Sequence, residues 1–475
     1  MSENALSAAL RNAAARGDAW ARIREGDRTT TVATLDCAAS DVATELLRSG
    51  VTQRARVGLV VENTSAHIAA LFGIWRAGAV AVPLNPRLLD AEADALLAHV
   101  GATARLEVDA GTGAPNIQSA PGADEGEDSD DEPDAVVAYT SGTTGRPKGV
   151  RLTHVNMLAA AMAVARTRRD GPESVAVVAS PLCHNPVFVS HYLARLLTGG
   201  TLVLGGFEPA RVARVIREQG VTDLPLVPAM IEPLLASGVS AASSLAKVTV
   251  GSAVTPMHVK EALAERFPNA EILEAYGQTE STDGLTMTTG REALIRAGTV
   301  GRAHASFEIG VRRPDGAASD VGGSGEVVAR GPMVMRGYWN DSAQTEAALR
   351  DGWLHTGDLG RIDADGFLYI TGRLKEIVIT GGENVSPEEV EVVLSRHPDV
   401  RGAVVFGTPH ERWGEQVTVA VISDVDIALD DLREFARPHL AGFKLPRALV
   451  RVREFPRTSA GKVRRGELRD RYAPG

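Results

Sequence analysis

Apolar residues along the chain fall into two alternating kinds of segment. Short, nearly unbroken runs at Val57 to Val61, Ala79 to Val82, Val175 to Val178, Thr201 to Leu204 and Val248 to Val250 are bounded by glycine, proline or charge. Their length and β-branched content predict strands buried on both faces. Between them, Ala66 to Arg76, Val155 to Arg166, Pro209 to Gln219 and His258 to Arg266 carry apolar residues at helical spacing. Strand and helix in alternation predict an α/β fold around a mainly parallel sheet.

The pattern changes near Gly372 to Glu376. Beyond it the sequence predicts a compact α+β unit: a strand at Ile377 to Thr380, a helix from Pro387, strands at Gly402 to Phe406 and Gln416 to Ile422, a helix around Asp430 to His439 and a strand at Ala448 to Val452. Ser386 and Glu389 have the spacing of a capping box for the first of these helices. The expected organisation is therefore a large N-terminal domain, 1–373, and a small C-terminal domain, 374–475.

A chain of 475 residues has ample length for several domains and a sizeable core. From Gly111 to Asp134 it is poor in large apolar residues and ends in a run of acids, which predicts a mobile surface loop. Eight acids lie between Asp124 and Asp134, and without them the net charge falls from −10 to −2. The near-neutral remainder argues against nucleic acid or an anionic membrane as partner, since both attract clustered positive charge. Cys37 and Cys183 are the chain's two cysteines, too few for a disulfide framework, and no apolar run is long enough to span a membrane. These features predict a cytoplasmic protein that handles small molecules.

The segment Thr140-Ser141-Gly142-Thr143-Thr144-Gly145-Arg146-Pro147-Lys148-Gly149 follows the apolar strand at 135–139. Glycines let backbone N–H groups converge on one anion, and the hydroxyls and Lys148 add donors and charge. That is chemistry for phosphate. The spacing is not that of a Walker A loop, which would require glycine at Pro147 and Ser or Thr at Gly149.

This loop resembles the signature of the adenylate-forming superfamily, and further matches follow in that family's order through nearly the whole chain. They are Trp75 to Asn85, Tyr276-Gly277-Gln278-Thr279-Glu280, Ser324-Gly325-Glu326, Gly337-Tyr338 and His355-Thr356-Gly357-Asp358-Leu359. Gly372-Arg373-Leu374-Lys375-Glu376, Gly381-Gly382-Glu383-Asn384-Val385 and Pro456 to Lys462 continue the series. The resemblance, closest to the acyl-CoA synthetase branch, implies a large N-terminal domain with a small mobile lid. It implies ATP-dependent activation of a small-molecule carboxylic acid to an acyl adenylate, followed by transfer to coenzyme A. A carrier protein is the alternative acceptor; the absence of a carrier domain after Gly475 and the form of the Gly381 and Gly442-Phe443-Lys444 motifs favour CoA.

By the same resemblance, Thr140, Ser141, Gly142, Thr143, Thr144, Gly145 and Lys148 cradle phosphates. Glu274, Ala275, Tyr276, Gly277, Gln278 and Thr279 border the nucleotide, with Tyr276 beside adenine. Glu280 holds Mg2+, Asp358 and Arg373 grip the ribose, and Lys462 is the mobile cation of adenylation. Gly381, Gly382 and Lys444 face CoA, and Lys375 is the hinge. His184, Asn185, Val187, Phe188, Gly251, Ser252, Ala253, Tyr276 and Gly277 are expected to line the acyl pocket. Val187 stands where many members have glycine, which alters the pocket's shape. None of these lining residues is charged, so the expected acid has no second charge, because a buried charge needs a partner. Cys183 is expected to be a buried small residue and not a nucleophile. A nucleotide sensor on the same fold would lack a catalytic cation or metal ligand, whereas Lys462 and Glu280 are both present.

Overall fold

The structure, a computed structural model, describes residues 4–109, 111–120, 133–140, 147–239, 242–252, 255–374, 376–380, 383–458 and 461–472. The chain divides into two compact units, residues 1–309 with 328–356, and residues 310–327 with 357–475.

Among the described residues, the first unit is built on two large sheets. One has the strand order Arg302–Ala303, Gly284–Met287, Glu271–Gly277, Lys247–Val250, Asp223–Leu226, Val175–Val178, Gly200–Leu204, Ala21–Glu25, Arg28–Thr31. The other runs Gly337–Tyr338, Lys148–Thr153, Asp134–Thr140, Val80–Leu84, Arg56–Val60, Ala104–Val108, Pro115–Ser119. Every apolar run read as a strand is one, and the helices Ser65–Arg76, His154–Arg168, Pro209–Glu218 and Met257–Arg266 occupy the expected stretches. Thr64 and Thr153 cap the first two of these helices by accepting from the amides of His67 and Asn156. One continuous apolar core takes Val57, Leu59 and Val136 from one sheet and Ala176, Val178 and Leu202 from the other, with Phe72 and Trp75 of the intervening helix.

The strands at 175–178, 223–226, 247–250 and 271–277 are mutually parallel neighbours, so their carboxyl ends share one sheet edge. In open α/β sheets that edge is where ligands bind.

The expected loop from Gly111 to Asp134 is more ordered at its two ends than its composition suggested. Pro115–Ser119 pairs antiparallel with Ala104–Val108, and Asp134 is buried at the start of a strand. An edge strand needs only one apolar face, which Ile117 supplies by packing against the core. Residues 121–132, most of the acidic run, lie outside the described residues.

In the second unit, strands Val378–Thr380, Gly402–His410, Gly414–Ile422 and Ala448–Arg451 and helices Pro387–Leu394 and Leu429–Ala436 match the expected order. The capping box does not form. Ser386 turns its hydroxyl to the Thr371 carbonyl and to Glu388, while Glu389 pairs with Lys444 at 2.6 Å. A cation within reach outcompetes a backbone amide for the Glu389 carboxylate.

Candidate active site

The phosphate-loop strands close on each other in antiparallel register, Thr140 opposite Lys148. Their base is fixed by Asp134, whose fully buried carboxylate pairs with Arg151 at 2.7 Å and Arg336 at 3.0 Å. Residues 141–146 of the loop lie outside the described residues. Lys148 places its Nζ 4.7 Å from the centroid of the Tyr338 ring, and the Tyr338 hydroxyl donates to Glu280 Oε1 at 2.9 Å. Burial, reinforced by the Glu280 charge, pushes the Tyr338 pKa upward, so its hydroxyl remains a donor. Cation, ring and carboxylate thus form one row that starts at Lys148. Gly337-Tyr338 was visible in the sequence as a motif, but nothing there assigned it to Glu280.

Glu280 sits on a tight turn, Thr279–Ser281, at the end of strand Glu271–Gly277. The Ser281 hydroxyl bridges the carbonyls of Gln278 and Asp283, at 2.9 and 2.7 Å. The Met335 amide donates to the Glu280 carbonyl at 2.8 Å, and Thr282 donates to the Met333 carbonyl. The chain folds back so closely that a Cβ on Gly277 would lie 2.2 Å from the Asp283 carbonyl oxygen, so this position requires glycine. Among the described residues there is no group of three or more His, Cys, Asp or Glu able to cage a metal. A lone carboxylate fits Mg2+ all the same, because that ion keeps waters and takes remaining ligands from substrate phosphates.

Segment 180–190, expected to border the acid, is held by side chains the sequence did not single out. Asn63 Nδ2 donates to the carbonyls of Ser180 and Gly205, at 2.9 and 3.2 Å, and its Oδ1 accepts from the Leu182 amide at 2.8 Å. Asn185, expected in the pocket, is buried and donates to the Thr282 carbonyl at 2.8 Å. Phe188, also expected there, is buried in a cluster with Phe72, Trp75 and Tyr192. His184 and Val187 are part-exposed, as are Gly251 and Tyr276 at the edge of the sheet. Ser252 has a left-handed backbone, φ 74°, and Ala253 lies outside the described residues. Burial pushes the Cys183 thiol up to about 12, which leaves it inert. Glu274 is committed to a buried ion pair with Lys260 at 2.7 Å, and burial raises its pKa.

A buried carboxylate that sequence reading missed lies next to this segment. Asp283 accepts from the Ser190 hydroxyl and, at 2.7 Å, from the Gly284 amide. Burial raises its pKa to about 7, against the opposing effect of both hydrogen bonds and of Arg168.

Within the second unit, Asp358 and Arg373 face each other across a hairpin and join at 2.8 Å, with Asp358 buried. Glu326 accepts from the Gly357 amide beside them at 3.1 Å. Lys462 is exposed on a turn closed by the Thr458 amide donating to the Lys462 carbonyl at 2.7 Å. Three residues on, Arg465 inserts among Glu376, Glu388 and Glu391, the last at 2.8 Å. Lys375, Gly381 and Gly382 lie outside the described residues. Next to Gly381, Thr380 accepts from Arg447 at 3.0 Å, and the Arg447 and Arg412 guanidiniums sit 4.5 and 4.7 Å from the Trp413 ring centroid. This cationic aromatic cluster was not read from the sequence.

Residues 10–339 match the family described as AMP-binding enzyme, and residues 389–462 match the AMP-binding enzyme C-terminal domain. A feruloyl-CoA synthase from Amycolatopsis sp is 34% identical over 472 residues, covering 95% of each chain. An indoleacetate–CoA ligase from Aromatoleum aromaticum is 30% identical over 485 residues, again with 95% of each covered. Among solved structures, the Bacillus subtilis o-succinylbenzoate coenzyme A synthetase in complex with ATP and magnesium ion aligns with a TM-score of 0.86 at 26% identity, over 97% of this chain and 98% of the other.

Proposed function

The chain belongs to the AMP-binding enzyme family as an ATP-dependent acyl-CoA synthetase, and from that premise we propose how its residues divide the reaction. A carboxylate attacking the α-phosphate of ATP brings two anions together, so the protein must neutralise and align them. The phosphate loop from Thr140 to Lys148 receives the β- and γ-phosphates, Tyr276 flanks adenine, and Asp358 with Arg373 holds the ribose hydroxyls. Glu280 anchors Mg2+, which when bound offsets charge on the departing pyrophosphate. Lys462 supplies the cation at the α-phosphate. Lys375 serves as the pivot by which residues 374–475 withdraw Lys462 and present Gly381 and Gly382, together with Arg412, Trp413, Lys444 and Arg447, to CoA. An aromatic ring with two guanidiniums close to it suits a nucleotide carrying phosphates.

The row Lys148, Tyr338, Glu280 is the observation that supports this reading: it links a lysine at the base of the proposed phosphate loop to the carboxylate proposed for the metal. The acid is uncharged apart from its reacting carboxylate and bears a ring, as the names of the two relatives above suggest. Asp283 does not contradict this, since both its oxygens are already engaged within the protein. The test is a panel of ferulate, indoleacetate, fatty acids, dicarboxylates and amino acids, scored by pyrophosphate release with and without CoA. Ring acids should release pyrophosphate and yield a CoA thioester. Adenylate formation with no thioester on adding CoA would instead identify a carrier protein as acceptor, and activity confined to amino acids or dicarboxylates would refute the uncharged pocket.

A further inference from the structure

We propose that Ser190 and Asp283, braced by Asn185, form a strut that sets the position of the acyl-side segment relative to the Glu280 turn. Ser190 and Asp283 are then positioning residues for adenylate formation. The inference rests on the assignment of Glu280 to magnesium and of the His184 segment to the acid.

The strut is built from two adjacent attachments. Asn185 donates to the carbonyl of Thr282, and Ser190 donates to the carboxylate of Asp283, so consecutive residues of the turn are tied to one short segment. That segment begins at His184 and continues through a wide helical turn, Phe188–Leu193, of the kind often found at functional sites. The Glu280 turn is also tied to segment 333–335, by the Met335 amide and the Thr282 hydroxyl. Thr282 itself has φ 65°, a backbone conformation costly for a non-glycine residue and kept only where surrounding contacts over-determine it.

Stability alone does not account for the pair. Asp283 is 6% exposed, and a carboxylate buried so deeply gains little over an apolar contact of the same volume. What a hydrogen-bonded pair adds is a fixed length and direction. In-line attack requires the acid oxygen within about 3–3.5 Å of the α-phosphorus, and a shift near 1 Å from a remote change can cost about a hundredfold in rate. A strut between the element that carries the acid and the element that carries the metal carboxylate controls that spacing. Each substrate would still find its own half of the site without it.

The experiment compares Ser190→Ala, Asp283→Ala, Asp283→Asn and the double alanine variant with the wild-type enzyme. Pyrophosphate exchange is measured with the acid that the wild type uses best, alongside amide exchange over 278–287. Ser190→Ala should lower kcat for exchange by about tenfold or more while both KM values stay within about threefold. The double variant should be no slower than Asp283→Ala, since both remove one contact. Asp283→Asn, which keeps an acceptor, should recover most of the rate. Amides at 281–284 should exchange faster in Ser190→Ala. A rise confined to the acid KM would overturn the proposal, because the pair would then touch substrate. Unchanged kcat with unchanged amide protection would overturn it as well. Absence of exchange in the wild type with every acid would refute the functional assignments instead, and the amide-exchange comparison would still decide whether the strut exists.

Discussion

Replacing Tyr338 with phenylalanine removes one hydroxyl from the row that joins Lys148 to Glu280. The ring stays, and with it the Lys148 contact at 4.7 Å, so the perturbation isolates the 2.9 Å hydrogen bond to Glu280 Oε1. A hydrogen bond to an ionised group contributes about 1.5–3 kcal/mol. At about 1.4 kcal/mol per factor of ten, that corresponds to roughly 10- to 150-fold. Loss of a partner that orients a metal ligand weakens metal affinity or activity by about 10–100-fold, which agrees. The variant should therefore need about tenfold more Mg2+ for half-maximal pyrophosphate exchange, while its rate at saturating Mg2+ stays within about threefold of wild type. Because burial and Glu280 both hold the Tyr338 proton on, the ratio of variant to wild type should stay flat between about pH 6 and pH 9. A folded variant with an unchanged Mg2+ requirement would refute the link between Tyr338 and metal binding. A loss of rate that no Mg2+ concentration relieves would refute it too, and would put Tyr338 on the substrate.

Lys462→Ala should reduce pyrophosphate exchange by about 100- to 1000-fold, as expected for loss of one electrostatic donor, yet convert supplied acyl adenylate to thioester normally. Lys375→Pro, which fixes φ near −65° by about 15° either way, should spare adenylation and slow thioester formation, measured as separate half-reactions in single turnovers. Trp413→Ala should raise the KM for CoA severalfold and leave exchange untouched, since it removes the ring that both Arg412 and Arg447 approach. Asp283 holds its proton up to about pH 7 when folded but only to about pH 4 when unfolded, so its contribution to stability falls as pH rises through that window. The melting temperature of Asp283→Asn relative to wild type should accordingly rise between pH 5 and pH 8, and a flat difference would mean that Asp283 does not titrate there.

What the sequence disclosed and what it hid differ in how far apart the cooperating residues lie. A strand such as Val175–Val178 or a helix such as Pro209–Glu218 is written in adjacent letters, because burial on both faces or on one stripe imposes its own periodicity. The phosphate loop and the Glu280 motif are also local, since glycine, hydroxyl and charge must follow one another within a few residues. Side chains that hold these motifs in place carry no such signature. Asn63 reaches Leu182, Tyr338 reaches Glu280, and Ser190 reaches Asp283 across long stretches of chain, and any asparagine, tyrosine or serine would look the same in the sequence. Asn185 and Phe188, which the resemblance places with His184 along the acyl pocket, show the same limit. Helical winding turns one toward the Thr282 carbonyl and the other into the aromatic core, so proximity in sequence became divergence in space. The other expected lining residues, His184, Val187, Gly251, Ser252 and Tyr276, bring no fixed charge, and the buried carboxylates Asp283 and Glu274 are each engaged within the protein before any substrate arrives, so an uncharged acid still fits.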